Sequence, residues 1–198
     1  MKPFLLGGAV LALTTALAAA QTTPAPAPDA TGATTTAPAP GGTGRAGSSD
    51  FQALQAVKVP LSQAIATVEQ QGQGRAISAE FEAQDGNEPA HYEIKVVQND
   101  GKLVEHEVDA NTGQVIKTEN QPIERFFTRL KPADFQSARM SLKDAIATAE
   151  QRAGAGARAV EAEVDRENNA VVYEIEVATA ERSQEVKVDA NGQVVSTD

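Results

Sequence analysis

One stretch of this chain occurs twice. Leu61-Ser62-Gln63-Ala64-Ile65-Ala66-Thr67-Val68-Glu69-Gln70 returns as Leu142-Lys143-Asp144-Ala145-Ile146-Ala147-Thr148-Ala149-Glu150-Gln151. Each copy opens a segment of similar plan, ending in Val108-Asp109-Ala110-Asn111 or in Val188-Asp189-Ala190-Asn191. A chain built this way must fold one small unit twice. In the first copy Leu61, Ala64, Ile65 and Val68 fall at i, i+3, i+4 and i+7, one face of an α-helix. Pro60 precedes that helix, Ser62 or the Val59-Pro60 turn starts it, and Gly72 and Gly74 stop it. In the second copy Leu142, Ala145, Ile146 and Ala149 repeat the stripe, with Ser141 as the cap and Gly154 and Gly156 as the stop. An apolar stripe at this spacing is core packing.

After each helix the period changes to two. Ile77, Ala79 and Phe81 alternate with Ser78, Glu80 and Glu82, and Tyr92, Ile94 and Val96 alternate with Glu93 and Lys95. Val104, His106 and Val108 alternate with Glu105 and Glu107. This pattern predicts an antiparallel sheet with one covered face and one wet face, the helix being the cover. Matching the apolar faces pairs Tyr92 with Val108 and Ile94 with His106, which leaves a three-residue loop ending on Gly101. The second copy reads the same way through Val160, Ala162, Val164, Tyr173, Ile175, Val186 and Val188, although its loop around Thr179 to Arg182 has no glycine. Gly113 and Gly192 close the last hairpins and are expected at positive φ.

The rest of the chain is of a different kind. Residues 1–20 read as a secretory signal: Lys2, an apolar run from Phe4 to Leu17, and Ala18-Ala19-Ala20 before Gln21. The run is short for a bilayer span of about 20 residues, so no integral membrane segment is expected in the mature chain, an uncleaved N-terminal anchor being the alternative. Residues 21–49 are rich in Pro, Ala, Thr and Gly and are expected to be a disordered, semi-stiff spacer. The expected divisions are a first domain at 50–119, a connector at 120–133 and a second domain at 134–198. The connector carries Phe126 and Phe127 in a short helical stripe.

Composition removes several functions. There is no Cys, hence no disulfide framework, thiolate metal site or Cys nucleophile. A net charge of −10 opposes binding to nucleic acid or to anionic lipid. Asp109 opens a stretch that faintly resembles a calcium loop, yet Gln114 and Asn120 stand where an EF-hand needs its Gly and its Glu. His91 and His106 are the two histidines, too few for zinc by themselves. The second copy has Val171 or Val172 near the first position and Val186 at the second. No nucleophile motif accompanies the Ser and Thr residues. No catalytic residue, metal or cofactor is therefore expected.

The helix Leu61-x-x-Ala64-Ile65, the strand Tyr92-Glu93-Ile94 and the hairpin Val108-Asp109-Ala110 with Gly113 and Val115 together resemble the PepSY domain. Leu142, Ala145, Ile146, Tyr173-Glu174-Ile175, Val188-Asp189-Ala190, Gly192 and Val194 repeat the resemblance. That family is associated with propeptides of thermolysin-type metallopeptidases and with bacterial envelope proteins. The resemblance implies a role in restraining or binding peptidases, and it brings no catalytic set.

The expected fold is α+β: two tandem small domains, each one helix on a three- or four-stranded antiparallel sheet. The expected function is a non-enzymatic exported module of the periplasm, cell envelope or medium, whose partner is a peptidase or another envelope protein. A structural scaffold of the envelope is the alternative. Glu80, Glu82, Glu93, Glu105 and Glu107 take outward positions on adjacent strands and should form one acidic face for docking a basic partner. Phe126 and Phe127 are the second candidate.

Overall fold

The computed structural model describes residues 46–72, 74–122 and 138–198. The signal, most of the spacer, and Phe126 and Phe127 lie outside them. Among the described residues three helices, α1 (Ala46–Ala56), α2 (Leu61–Gly72) and α3 (Leu142–Ala153), accompany eight strands. The strands are β1 (Gly74–Glu82), β2 (His91–Gln98), β3 (Leu103–Asp109), β4 (Val115–Gln121), β5 (Arg158–Glu167), β6 (Ala170–Ala178), β7 (Ser183–Asp189) and β8 (Val194–Thr197).

The expectation of two separate sheets is corrected here. All eight strands form one antiparallel sheet in the order β4-β3-β2-β1-β5-β6-β7-β8. The first strands of the two repeats pair through Ser78↔Glu163, Ala79↔Ala162 and Glu80↔Glu161. Ala79 and Ala162 each stand two residues before the residue facing the repeat's tyrosine, so equivalent positions meet at the seam. The repeats are thus arranged like a fused dimer about a pseudo-twofold axis. The physical cause is the open edge of β1: one repeat alone would leave its N–H and C=O groups unpaired. Helices α2 and α3 also touch one another over this seam.

Within each repeat the local readings hold. Leu61, Ala64, Ile65 and Val68 are buried, as are Leu142, Ala145, Ile146 and Ala149. Ser141 caps α3 by accepting the Asp144 N–H. Tyr92 pairs with Val108 and Ile94 with His106. Gly101, Gly113 and Gly192 have φ of 86°, 72° and 90°. At Gly192 a Cβ would also lie 2.8 Å from Met140 Cε. The glycine-free loop of the second repeat is closed by Thr179, whose Oγ1 accepts the Glu181 and Arg182 N–H groups.

Residues 46–49, expected in the disordered spacer, instead open α1. This helix packs on β5, β6 and β7 of the second repeat, although it precedes the first repeat in sequence. Leu54, 1% exposed, anchors it in the common core. Burial of that side chain is what makes a short, weakly amphipathic segment helical.

Candidate functional site

The repeated motifs prove to be the fastenings of the fold. The Tyr92 hydroxyl donates to the Val59 carbonyl at 2.6 Å, and the Tyr173 hydroxyl donates to the Met140 carbonyl. Each tyrosine thereby ties the turn before its helix to the middle of the sheet. Burial pushes both phenols up, Tyr92 to about 12. Asp109 Oδ1 accepts the Asn111 and Thr112 N–H groups, and Asp189 Oδ1 accepts those of Asn191 and Gln193. These main-chain donors hold both carboxyls below the usual range. The Val-Asp-Ala-Asn motif is therefore a side-chain-closed turn.

Two further residues of this kind escaped the sequence reading. Glu69 Oε1 accepts the Ala76 N–H at 2.9 Å, and Glu150 Oε1 accepts the Ala159 N–H at 3.0 Å. Each reaches the residue beside a bulge, where the strand register shifts between Ala76 and Ser78 or between Ala159 and Glu161. A bulge frees a backbone donor, and a glutamate from the overlying helix satisfies it. The signal was present: both glutamates recur in the duplicated stretch.

With the motifs assigned to structure, the sheet face opposite α2 and α3 remains. Glu80 lies opposite Glu93, and Glu93 opposite Glu107. Glu82 stands opposite His91, and Glu105 opposite Lys95. All five carboxylates expected to share a face thus lie on the neighbouring strands β1, β2 and β3. The continuous sheet doubles this face. Glu80 also faces Glu161, Glu161 faces Glu176, Glu176 faces Glu185, and Glu163 faces Glu174. One shallow depression is lined by Ser78, Glu80, Glu93, Lys95, Glu161 and Glu163, and a second by Glu161, Glu163, Glu174, Glu176 and Glu185.

Charge on this face is unevenly compensated. Lys95 lies 3.7 Å from Glu105, and Lys117 lies 2.6 Å from Glu107. Lys187 binds Glu167 and Glu174, both at 2.7 Å. At the centre Lys95 offsets the charge of Glu80, Glu93, Glu161 and Glu163 only in part. Burial and then Glu161 push the Glu80 carboxyl up. Burial followed by Glu105 raises Glu93, burial followed by Glu163 raises Glu161, and burial followed by Asp165 raises Glu163. The seam thus concentrates carboxylates that resist ionisation.

The two histidines part company. His106 is buried on the helix side, its Nδ1 3.0 Å from Thr118 Oγ1 and its Nε2 without a partner. Burial lowers its pKa. The folded state therefore disfavours the imidazolium. The stability contributed is present above about pH 6.5 and is lost as pH falls below that value. His106→Val, which copies Val186, is expected to raise stability by about 1 kcal/mol, since an orphaned buried nitrogen costs about 1–3 kcal/mol. The gain should be larger at pH 5.5 than at pH 7.5 in parallel urea melts. An equal shift at both values would assign the effect to packing alone.

His91, 5% exposed, starts β2, with Nδ1 3.0 Å from the Pro89 carbonyl oxygen. No described helix is long and apolar enough to cross a membrane.

Comparison with known proteins agrees with the motif reading. The family model of the "Peptidase propeptide and YPEB domain", PepSY, matches residues 58–119 and again 139–197. A search of curated proteins finds no match. Among solved structures, a crystal structure from Clostridium difficile 630, described as that of a candidate lipoprotein, aligns at 22% identity and a TM-score of 0.42. The alignment covers 73% of this chain and 95% of that one. Since the family match spans more than half of the chain, this protein belongs to the PepSY family and carries the PepSY domain as a tandem pair.

Proposed function

We propose that this protein is an exported, non-catalytic binding module whose acidic sheet face docks a basic surface on an envelope or secreted peptidase. Export rests on the leader-like residues 1–20 and the Pro/Ala/Thr-rich stretch after them. A peptidase as partner rests on the family description. The single observation that carries the docking face is the row of like charges at the seam, Glu93–Glu80–Glu161–Glu176, each directly opposite the next across the strands. Like charges in directly opposed positions destabilise a sheet. Four carboxylates opposed in succession form a negative strip that a basic surface would match. A basic partner would offset the repulsion, and the carboxylates would steer its approach.

The stability side of this reading has a definite sign. Glu80 and Glu161 have raised pKa values in the folded state. The folded chain therefore binds protons before the unfolded chain does, and stability rises as pH falls from neutrality toward the ordinary glutamate range. Glu80→Gln combined with Glu161→Gln should raise the melting temperature at pH 7 and flatten that rise. A lowered melting temperature would show that these carboxylates hold the sheet together.

The functional test pairs the purified protein with thermolysin-type peptidases from its own envelope. Stoichiometric inhibition or binding is expected, with association slowed by salt and by the triple change Glu80→Gln, Glu93→Gln and Glu161→Gln. Binding that ignores both salt and the triple change would remove the face from the interaction. No effect on any peptidase would leave the envelope scaffold as the better reading.

A further inference from the structure

A corner of the first repeat gathers Glu88, His91 and Glu107. One carboxylate oxygen of each glutamate and one ring nitrogen of the histidine lie within 4.8 Å of one another. His91 is 5% exposed. Its Nδ1 sits 3.0 Å from the Pro89 carbonyl oxygen. A carbonyl can only accept, so Nδ1–H donates to it, and Nε2 is the ring nitrogen left to ligate a metal. Among the described residues no hydrogen bond engages Nε2. An imidazole pinned through one nitrogen to a main-chain carbonyl, with the other nitrogen bare, is prepared as a metal ligand.

The second repeat fills the matching corner with a cation of its own. Glu107 faces Glu93 across β2 and β3, as Lys187 faces Glu174 across β6 and β7. The Lys187 ammonium is held by Glu174 and by Glu167 at the end of the β5–β6 hairpin. Val172 stands where His91 does, each directly before the motif tyrosine. The first repeat has therefore exchanged a built-in ammonium for a carboxylate, and a valine for an imidazole, at one corner. Lys117 engages Oε1 of Glu107 from the exposed edge strand, which leaves the second oxygen of that carboxylate.

We propose that Glu88, His91 and Glu107 bind one divalent transition-metal ion. One imidazole and two carboxylates suit zinc, which takes such ligands at about 2.0–2.2 Å. Ligand atoms around a tetrahedral zinc are about 3.4 Å apart, so the corner must contract by more than an ångström. Glu88 is exposed in the β1–β2 loop and supplies that movement. Three protein ligands leave a fourth position for water.

The test is calorimetric titration of the full chain with zinc chloride at pH 7, beside His91→Val and Glu107→Lys. Both variants carry the residue that the second repeat already tolerates, and melts without metal check that they fold. One ion per wild-type chain is expected, with affinity at least tenfold weaker in both variants. Zinc should raise the melting temperature of the wild type alone. If His91→Val does not fold, Glu107→Lys decides. Equal affinity in all three proteins, or no saturable binding by the wild type, would overturn the site. The double variant Glu80→Gln, Glu161→Gln should bind like the wild type; loss of binding there would place the ion at the β1–β5 seam and overturn the proposal as well.

Discussion

Leu54→Ala is expected to lower stability by about 2–5 kcal/mol, or roughly 4–20 °C in melting temperature. Leu54 is 1% exposed and belongs to the common core. It sits on α1, which packs on β5, β6 and β7 rather than on the repeat that follows it. Removal of residues 1–56 should therefore damage the second repeat more than the first. The same contact and the β1–β5 seam predict the behaviour of the halves. A fragment of residues 138–198 would lack both α1 and the strand that pairs with β5. It should show no cooperative unfolding of its own, while the whole chain unfolds in one transition. Hydrogen exchange on the Leu54→Ala protein locates the damage: protection should fall first on β5 to β7. A stable 138–198 fragment, or a truncated chain that melts like the full one, would show that the two PepSY domains are independent.

Gly74→Ala should be nearly as severe. A Cβ at Gly74 would lie 2.4 Å from the Val97 carbonyl oxygen and 2.6 Å from Val96 Cγ1. The oxygen belongs to the neighbouring strand backbone and cannot turn aside as a side chain can. Gly74 pairs with Gln98 at the start of β1, directly after α2. An added methyl must therefore either pry β1 from β2 or shift the end of the helix. Overpacking of this kind costs about 1–3 kcal/mol. Thermal melts of Gly74→Ala beside Gly101→Ala make the comparison. At Gly101 φ is positive but nothing lies within reach of a Cβ, so only backbone strain of about 1–2 kcal/mol applies. If Gly74→Ala were the milder change, the close approach of β2 would not be rigid.

Much of this protein was legible residue by residue. The duplicated stretch, the buried helix stripes, the pairing of Tyr92 with Val108 and the turn at Gly101 all follow from local periodicity and turn chemistry. Such signals are written in side chains that lie close together in the chain. The five outward glutamates of the first repeat were legible for the same reason. The sequence did not show that the acidic face continues through Glu161, Glu163, Glu174 and Glu176. That continuity depends on β1 pairing with β5, and strand pairing uses backbone groups that every residue carries. The course of α1 was hidden too, because a helix that packs on a distant repeat leaves no mark on its own period. Glu69 and Glu150 looked like ordinary helix-surface acids until the bulges beneath them were in place. The sequence by itself determined what each repeat is. The tertiary structure decided that the two repeats share one sheet, since only there do two open edges, each indifferent to side-chain identity, satisfy one another.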